Sequence, residues 1–219
     1  MKLETTRTDM TANQITQTDA NPVESGSERS SGECAFTKLM KDAALKVVEV
    51  TMVVCGKLPP SLVTATSSGD AIFSRDDLSN AGKMQEFVTT GRMICIAENV
   101  DAVVVCVSAW IRTEGNSQVI EPVLADGVRG AGQEVVMLFG ESRDKMGWAV
   151  YSVERHGNGH FRGFEEGPDI RNAKVNWEFF GFMPTEVPDD ISRRKAKEYL
   201  AARNLPNPRT SQERGLYYY

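Results

Sequence analysis

The chain has two histidines, His156 and His160, four residues apart. Neutral imidazole is a common ligand for zinc, and two histidines at this interval share a metal when one helix face presents both. Here the residues between them, Gly157-Asn158-Gly159, are typical of a turn instead. The two histidines are therefore only candidate metal ligands. We predict that they are exposed turn residues and that the protein has no cofactor.

The glycines of this segment also resemble a phosphate-binding loop, with the spacing G-x-G-x-x-x-G over residues 157–163. Such loops bind phosphate because a helix N-terminus follows them and supplies free backbone N–H groups. A strand pattern follows here, and no Gly-Lys-Ser/Thr sequence occurs in the chain. The pattern does not support nucleotide binding.

Nucleophilic catalysis by cysteine requires an accessible thiolate beside a base. Cys95 and Cys106 lie in apolar runs, which predicts burial and a raised thiol pKa. Ser108 does not belong to a G-x-S-x-G elbow. No pair has C-x-x-C spacing, and we expect reduced thiols without a disulfide or zinc site at all four cysteines, Cys34, Cys55, Cys95 and Cys106.

Two pairs of adjacent carboxylates, Asp76/Asp77 and Glu165/Glu166, could support acid–base chemistry. Adjacent residues on a strand point to opposite faces, and acidic residues before a helix usually cap it. We therefore interpret both pairs as caps or solvated charges. The catalytic residues, if the chain has any, are unknown at this stage.

Residues 193–197, Arg-Arg-Lys-Ala-Lys, form a basic cluster within the last predicted helix. A charged run on a helix is usually a solvated face. The net charge of the chain is −5, which does not favour binding to nucleic acid.

Aromatic residues at strand positions are mostly typical of a core, but those of residues 179–183 fall on both faces of one predicted strand. The candidate binding surface comprises Trp110, Arg112, Phe180, Phe182, Arg193, Arg194, Lys195 and Lys197.

Apolar residues recur at helical spacing from Phe36 to Thr51 and predict a first helix. It should end near Gly56, before Pro59 and Pro60, although β-branched residues over 50–55 make its last turns ambiguous. Residues 61–66 and 71–75 predict a β-hairpin. Asp76, Asp77 and Ser79 are the candidate N-caps of a second helix that extends to Glu98.

Residues 101–110 form an apolar run rich in valine, which predicts a strand buried on both faces. Glycines then mark residues 113–132 as a long mobile connection. Further strands are predicted over 133–141, 147–155, 160–164 and 175–181, followed by a helix over 189–203. The predicted class is α+β, with two helices packed on one face of a mostly antiparallel sheet in the order α-β-β-α-β-(loop)-β-β-β-β-α.

This order of elements resembles the profilin-like arrangement of roadblock and longin domains, a likeness of topology that implies no function. Leu58-Pro59-Pro60, together with residues 101–105 leading to Ser108-Ala109-Trp110, is similar to a group of uncharacterised bacterial and phage open reading frames. That resemblance covers about residues 36–180 and implies no activity for any residue.

Residues 1–33 are polar and predict a disordered tail, followed by one α+β domain over 34–188, the last helix over 189–204 and a flexible tail over 205–219. Neither a membrane span nor a secretory signal is expected, which favours a cytoplasmic protein. We predict a soluble intracellular binding or regulatory protein that contacts a protein partner or itself. The alternatives are a small metal- or carboxylate-dependent hydrolase or nuclease, and nucleic-acid contact through the basic helix.

Overall fold

One long strand, β3 (Ala102–Glu114), lies at the centre of the computed structural model. All residues over 102–109 are buried, because small and β-branched side chains fill the space on both faces of the strand. This confirms the prediction for the valine-rich run. The structure describes residues 35–66, 69–115, 117–123, 132–168, 170, 174–175, 179 and 181–203.

The remaining strands form a curled and almost entirely antiparallel sheet around β3. They are β1 (Ser61–Thr66), β2 (Gly69–Ser74), β4 (Ser117–Pro122), β5 (Gln133–Ser142), β6 (Met146–Arg155), β7 (Phe161–Glu166) and β8 (Lys174–Val175). Their order is β2-β1-β3-β5-β6-β7, while β4 pairs with β3 and with β8. The β4–β8 pairing is parallel. The predicted α+β class and mostly antiparallel sheet are confirmed.

The first predicted helix consists of α1 (Ala35–Lys38), a π-helical segment (Leu39–Ala43) and α2 (Ala44–Cys55), which follow one another directly. Gly56 ends it with φ +69° and donates its N–H to the Met52 carbonyl at 2.9 Å, as a glycine C-cap does.

The next helix, α3 (Ala81–Ala97), begins after Asn80, whose side-chain oxygen accepts the Lys83 N–H. The predicted caps Asp76, Asp77 and Ser79 are therefore wrong. The last helix, α4 (Asp190–Ala201), is capped by Asp189.

Three further predictions need correction. Residues 117–122, inside the predicted long connection, form β4, because Ser117–Pro122 pairs with the far half of β3. The strand predicted over 175–181 is only the two-residue β8 among the described residues; Phe179 and residues 181–183 have irregular backbone. The helices do not share one face of the sheet, as the two core clusters show.

Alternate residues of β3 contribute to two separate apolar cores. Val104 and Cys106 pack with Val48 and Met52 of α2, and we call this side of the sheet the α2 face. Val103 and Val105 pack with Phe87 of α3 and with residues of α4, and we call this side the α3 face. The sheet is therefore covered by helices on both faces, which is why β3 is apolar throughout.

Two strands share one edge of β3, and Ser108 lies where they meet. β1 pairs with residues 102–106 and β4 with residues 109–114. The Ser108 hydroxyl donates to the Leu58 carbonyl at 3.4 Å, and its backbone carbonyl accepts the Val123 N–H at 2.8 Å. The buried Ser108 thus links β3 to the segments at Leu58 and Val123.

The described helices include none that is both long and apolar enough to cross a membrane. The predicted tails, residues 1–33 and 205–219, lie outside the described residues, as does Phe180.

Candidate binding surface

Both histidines lie in the turn between β6 and β7. The His156 N–H donates to the His160 carbonyl, and Asn158 accepts the His160 N–H at 3.1 Å. Gly159, at φ +84°, provides the left-handed backbone that this turn needs. Both imidazoles are exposed. Across the described part of the chain, no three His, Cys, Asp or Glu side chains gather as metal ligands.

One member of each predicted carboxylate pair, Asp77 or Glu165, has hydrogen-bond partners outside the pair. The Asp77 carboxylate pairs with Lys83 and accepts the Ser79 N–H, and these bonds hold its pKa well below the ordinary value. Glu165 lies opposite Ser152, whereas Glu166 lies opposite Tyr151, so the two point to different faces. A hydrogen bond with Glu154 raises the pKa of Glu165.

The described thiols differ in exposure. Cys95 and Cys106 are buried, and desolvation raises the pKa of each thiol far above its ordinary value. The expectation of burial for these two cysteines is confirmed, and it makes them poor nucleophiles. Cys55 is exposed at the end of α2, and Cys34 lies outside the described residues.

Basic residues of the 193–197 cluster pair with carboxylates of their own helix. Arg193 pairs with Asp190, and Arg194 lies 3.8 Å from Glu198. Lys195 and Lys197 are exposed. Pairs at three- and four-residue spacing support an isolated helix and reduce the positive field available to a polyanion.

Phe182, which we predicted on a binding surface, is 1% exposed and packs edge-on against Phe87 at 6.2 Å between ring centroids. This prediction is wrong, because the segment that carries Phe182 lies against the α3 face of the sheet. The Glu141 carboxylate holds that segment by accepting the N–H groups of Gly181 and Phe182 at 3.0 Å and of Met183 at 3.3 Å. We call this arrangement the Glu141 clasp.

Trp110 and Arg112 lie on the α2 face, two residues apart on the far half of β3, and both are partly exposed. Trp110 is opposite Glu121 on one neighbouring strand and Glu134 on the other. The Arg112 guanidinium binds Glu114 at 2.8 Å and Glu121 at 2.5 Å. Arg112 is therefore paired with two carboxylates, whereas the buried Trp110 Nε1 and Arg112 Nε have no hydrogen-bond partner among the described residues.

Arg155 connects Glu134, which lies opposite Trp110 on β5, to the end of α2. Its guanidinium binds both carboxylate oxygens of Glu134, at 2.6 and 2.7 Å, and donates to the Gly56 carbonyl at 3.1 Å and the Gly159 carbonyl at 3.0 Å. The hydrogen bonds with Glu134 raise the pKa of Arg155. A positive charge at the carboxyl end of α2 also complements the helix dipole.

The solvent side of α2 carries three exposed valines, which the sequence pattern did not predict. Val50, Val53 and Val54 are 45%, 66% and 70% exposed. Residues 50, 53 and 54 have the spacing of one helix face, opposite the buried Val48 and Met52. Exposed Lys46, Glu49 and Lys57 surround them. We call these six residues the α2 outer face. The feature of the sequence that could have indicated this face is the run rich in β-branched residues over 50–55.

Comparison with known proteins gives no relative for this chain: no family model, no curated protein and no solved structure matches it.

Proposed function

We propose that the chain is a protein-binding domain and that the α2 outer face is its contact surface. The observation that carries the proposal is the exposure of three valines on one turn of a helix whose opposite side is fully buried. Valine is a weaker helix former than alanine, and an exposed valine gains nothing from burial. Neither helix stability nor the core therefore accounts for three of them together.

The charged side chains that could support hydrolysis or nucleic-acid binding form ion pairs with other residues of the chain. Asp77 pairs with Lys83, Glu134 with Arg155, and Arg112 with Glu121. These contacts favour binding over the hydrolase and nucleic-acid alternatives. A cytoplasmic location belongs to the same proposal, and its support is the burial of two reduced cysteines, Cys95 and Cys106.

The test compares the wild type with Val53→Asp as bait in extracts of the native cell. The matched control is Ile191→Asp, which places the same charge at another exposed apolar residue of a helix, 55% exposed on α4. Circular dichroism and thermal unfolding first establish that both variants are folded. We expect Val53→Asp to lose specific partners that Ile191→Asp and the wild type retain. Identical sets of bound proteins for all three baits would overturn the proposal.

A further inference from the structure

We infer that Asn158 is a site of spontaneous covalent modification, where the side-chain amide is lost and the bond to Gly159 becomes an aspartyl or isoaspartyl linkage. Asparagine is a chemically labile side chain, and Asn158-Gly159 is the only Asn-Gly sequence in the chain. The reaction needs a backbone nitrogen that approaches the side-chain amide. Glycine, which has no Cβ, gives that nitrogen the freest approach. The site is independent of the α2 outer face.

The reaction balances with water as the only co-reactant. The Gly159 nitrogen bonds to the side-chain carbonyl carbon (Cγ) of Asn158, and its proton leaves with the side-chain nitrogen as ammonia. The product is a five-membered succinimide ring. Water then opens one of the two bonds to the ring nitrogen. Cleavage at Cγ gives aspartate, and cleavage at the backbone carbonyl carbon gives isoaspartate, whose main chain runs through Cβ and Cγ.

The turn between β6 and β7 activates the carbonyl that is attacked. Asn158 Oδ1 accepts the His160 N–H at 3.1 Å. Negative charge develops on this oxygen as the Gly159 nitrogen adds, and a donor already in place stabilises it, as a donor in an oxyanion hole does. Residues 156–160 are exposed, and a Cβ on Gly159 would meet nothing within 4 Å. Water therefore reaches the site.

One hydrogen bond must open before the attack. The Gly159 N–H donates to the His156 carbonyl at 2.8 Å. This bond lies in an exposed turn, where local opening costs little free energy. Gly159, at φ +84°, also changes its backbone angles more easily than a residue with a Cβ.

The other described asparagines lack this combination. Asn80 caps α3 by accepting the Lys83 N–H, and Asn99 accepts a hydrogen bond from Arg143. Alanine follows Asn80 and valine follows Asn99, so a Cβ crowds the attacking nitrogen at both. We therefore expect the reaction first at Asn158.

The modification alters the contacts of Arg155. The Arg155 guanidinium donates to the Gly159 carbonyl at 3.0 Å and to the Gly56 carbonyl at the end of α2. Isoaspartate adds one methylene to the main chain of the turn, which then no longer fits the pairing of His156 with His160. We expect the modified turn to open more often and to lose the bond from Arg155.

The test is incubation of the full chain in mildly alkaline buffer, followed by peptide mapping by mass spectrometry. A mass gain of about 1 Da should appear at Asn158 before Asn80 or Asn99. Gly159→Ala should slow this gain about tenfold or more, because a Cβ hinders the approach of the nitrogen. The matched control is Gly157→Ala, which adds the same methyl on the other side of Asn158, where nothing lies within 4 Å. The control should react at the wild-type rate.

Three results would overturn the inference: no mass gain at Asn158, an earlier gain at Asn80 or Asn99, or equal rates in the two glycine variants. The first two comparisons use the wild type and do not depend on how a variant folds. The modified form, separated by anion exchange through its added negative charge, then shows the consequence. Its amide hydrogens over 156–160 should exchange faster than those of the unmodified protein, and unchanged protection would overturn the effect on the turn.

Discussion

The Glu141 carboxylate lies 3.0 Å from the backbone nitrogen of Phe182, forty-one residues further along the chain. The same group also accepts from Gly181 and Met183, and Arg92 donates to the Gly181 carbonyl at 2.7 Å. A carboxylate that receives three backbone N–H groups is bound as an anion is bound in a backbone nest. Through Glu141, β5 thereby fixes the segment that leads to α4.

We predict that Glu141→Gln destabilises the protein by about 2–3 kcal/mol, measured by urea unfolding. Glutamine removes the charge and brings an amide donor toward three N–H donors. The control is Glu121→Gln, whose carboxylate is 48% exposed and pairs with Arg112. We expect that change to cost less than about 1 kcal/mol. A smaller loss for Glu141→Gln than for the control would contradict the role of the clasp.

Gly91→Ala should also be destabilising, although alanine favours helix. A Cβ at Gly91 would lie 2.8 Å from the Phe182 ring and 3.2 Å from Leu62, so α3 or the clasped segment must shift. We expect a loss of about 1–3 kcal/mol in thermal or urea unfolding, the usual cost of overpacking. Gly163→Ala is the control, because a Cβ there meets nothing within 4 Å. Equal stability of the two variants would show that the contact relaxes freely.

The Arg155–Glu134 pair should show measurable coupling in a double-mutant cycle of Arg155→Met and Glu134→Gln. The pair has two parallel hydrogen bonds and its side chains are only 28% and 15% exposed. We expect a coupling of about 1–2 kcal/mol. The matched cycle on Arg194 and Glu198, which are exposed on α4, should give about 0.3–0.5 kcal/mol. Comparable coupling energies in the two cycles would show that the Arg155–Glu134 pair contributes no more than an exposed helix pair.

Burial of Cys95 and Cys106 predicts a loss of stability at alkaline pH. The pKa of each folded thiol is raised, so the folded protein keeps a proton that the unfolded chain releases above about pH 8.5. Their contribution is complete below that pH, and the unfolding free energy should then fall by about 1.4 kcal/mol per pH unit for each thiol.

The measurement is urea unfolding between pH 7 and pH 10, with Cys106→Ala as the comparison. Other groups titrate equally in both proteins, so the difference between the two slopes isolates one thiol. The variant should have a shallower slope by about 1.4 kcal/mol per unit. Parallel slopes would mean that Cys106 ionises as easily folded as unfolded.

Much of the fold was predictable because it depends on local patterns. The valine run over 102–109 predicted a strand covered on both faces, and Gly56 before Pro59 and Pro60 predicted the end of α2. β4 was missed because its pairing with β3 outweighs a glycine-rich composition. Which face each helix covers depends on contacts between distant residues, and periodicity does not carry that information.

The placement of the candidate residues was predictable only in part. Trp110 and Arg112 follow the buried half of β3 and are partly exposed, and their contact with a partner stays a prediction. Phe182 was misplaced because its burial depends on Glu141, which nothing in the local sequence links to it. The α2 outer face was missed because an exposed valine and a buried valine look the same until the helix is packed.

The positions along the chain of the residues in the α3-face core determine when this core can be completed during synthesis. Phe179, Phe182, Ala196 and Leu200 belong to that core, yet they follow all the long strands in the chain. A ribosome releases these residues after all the long strands, so the ring contacts of Phe87 and Phe139 with Phe179 form only then. The nascent chain should therefore expose part of its α3-face core until late in translation, when chaperones can bind it.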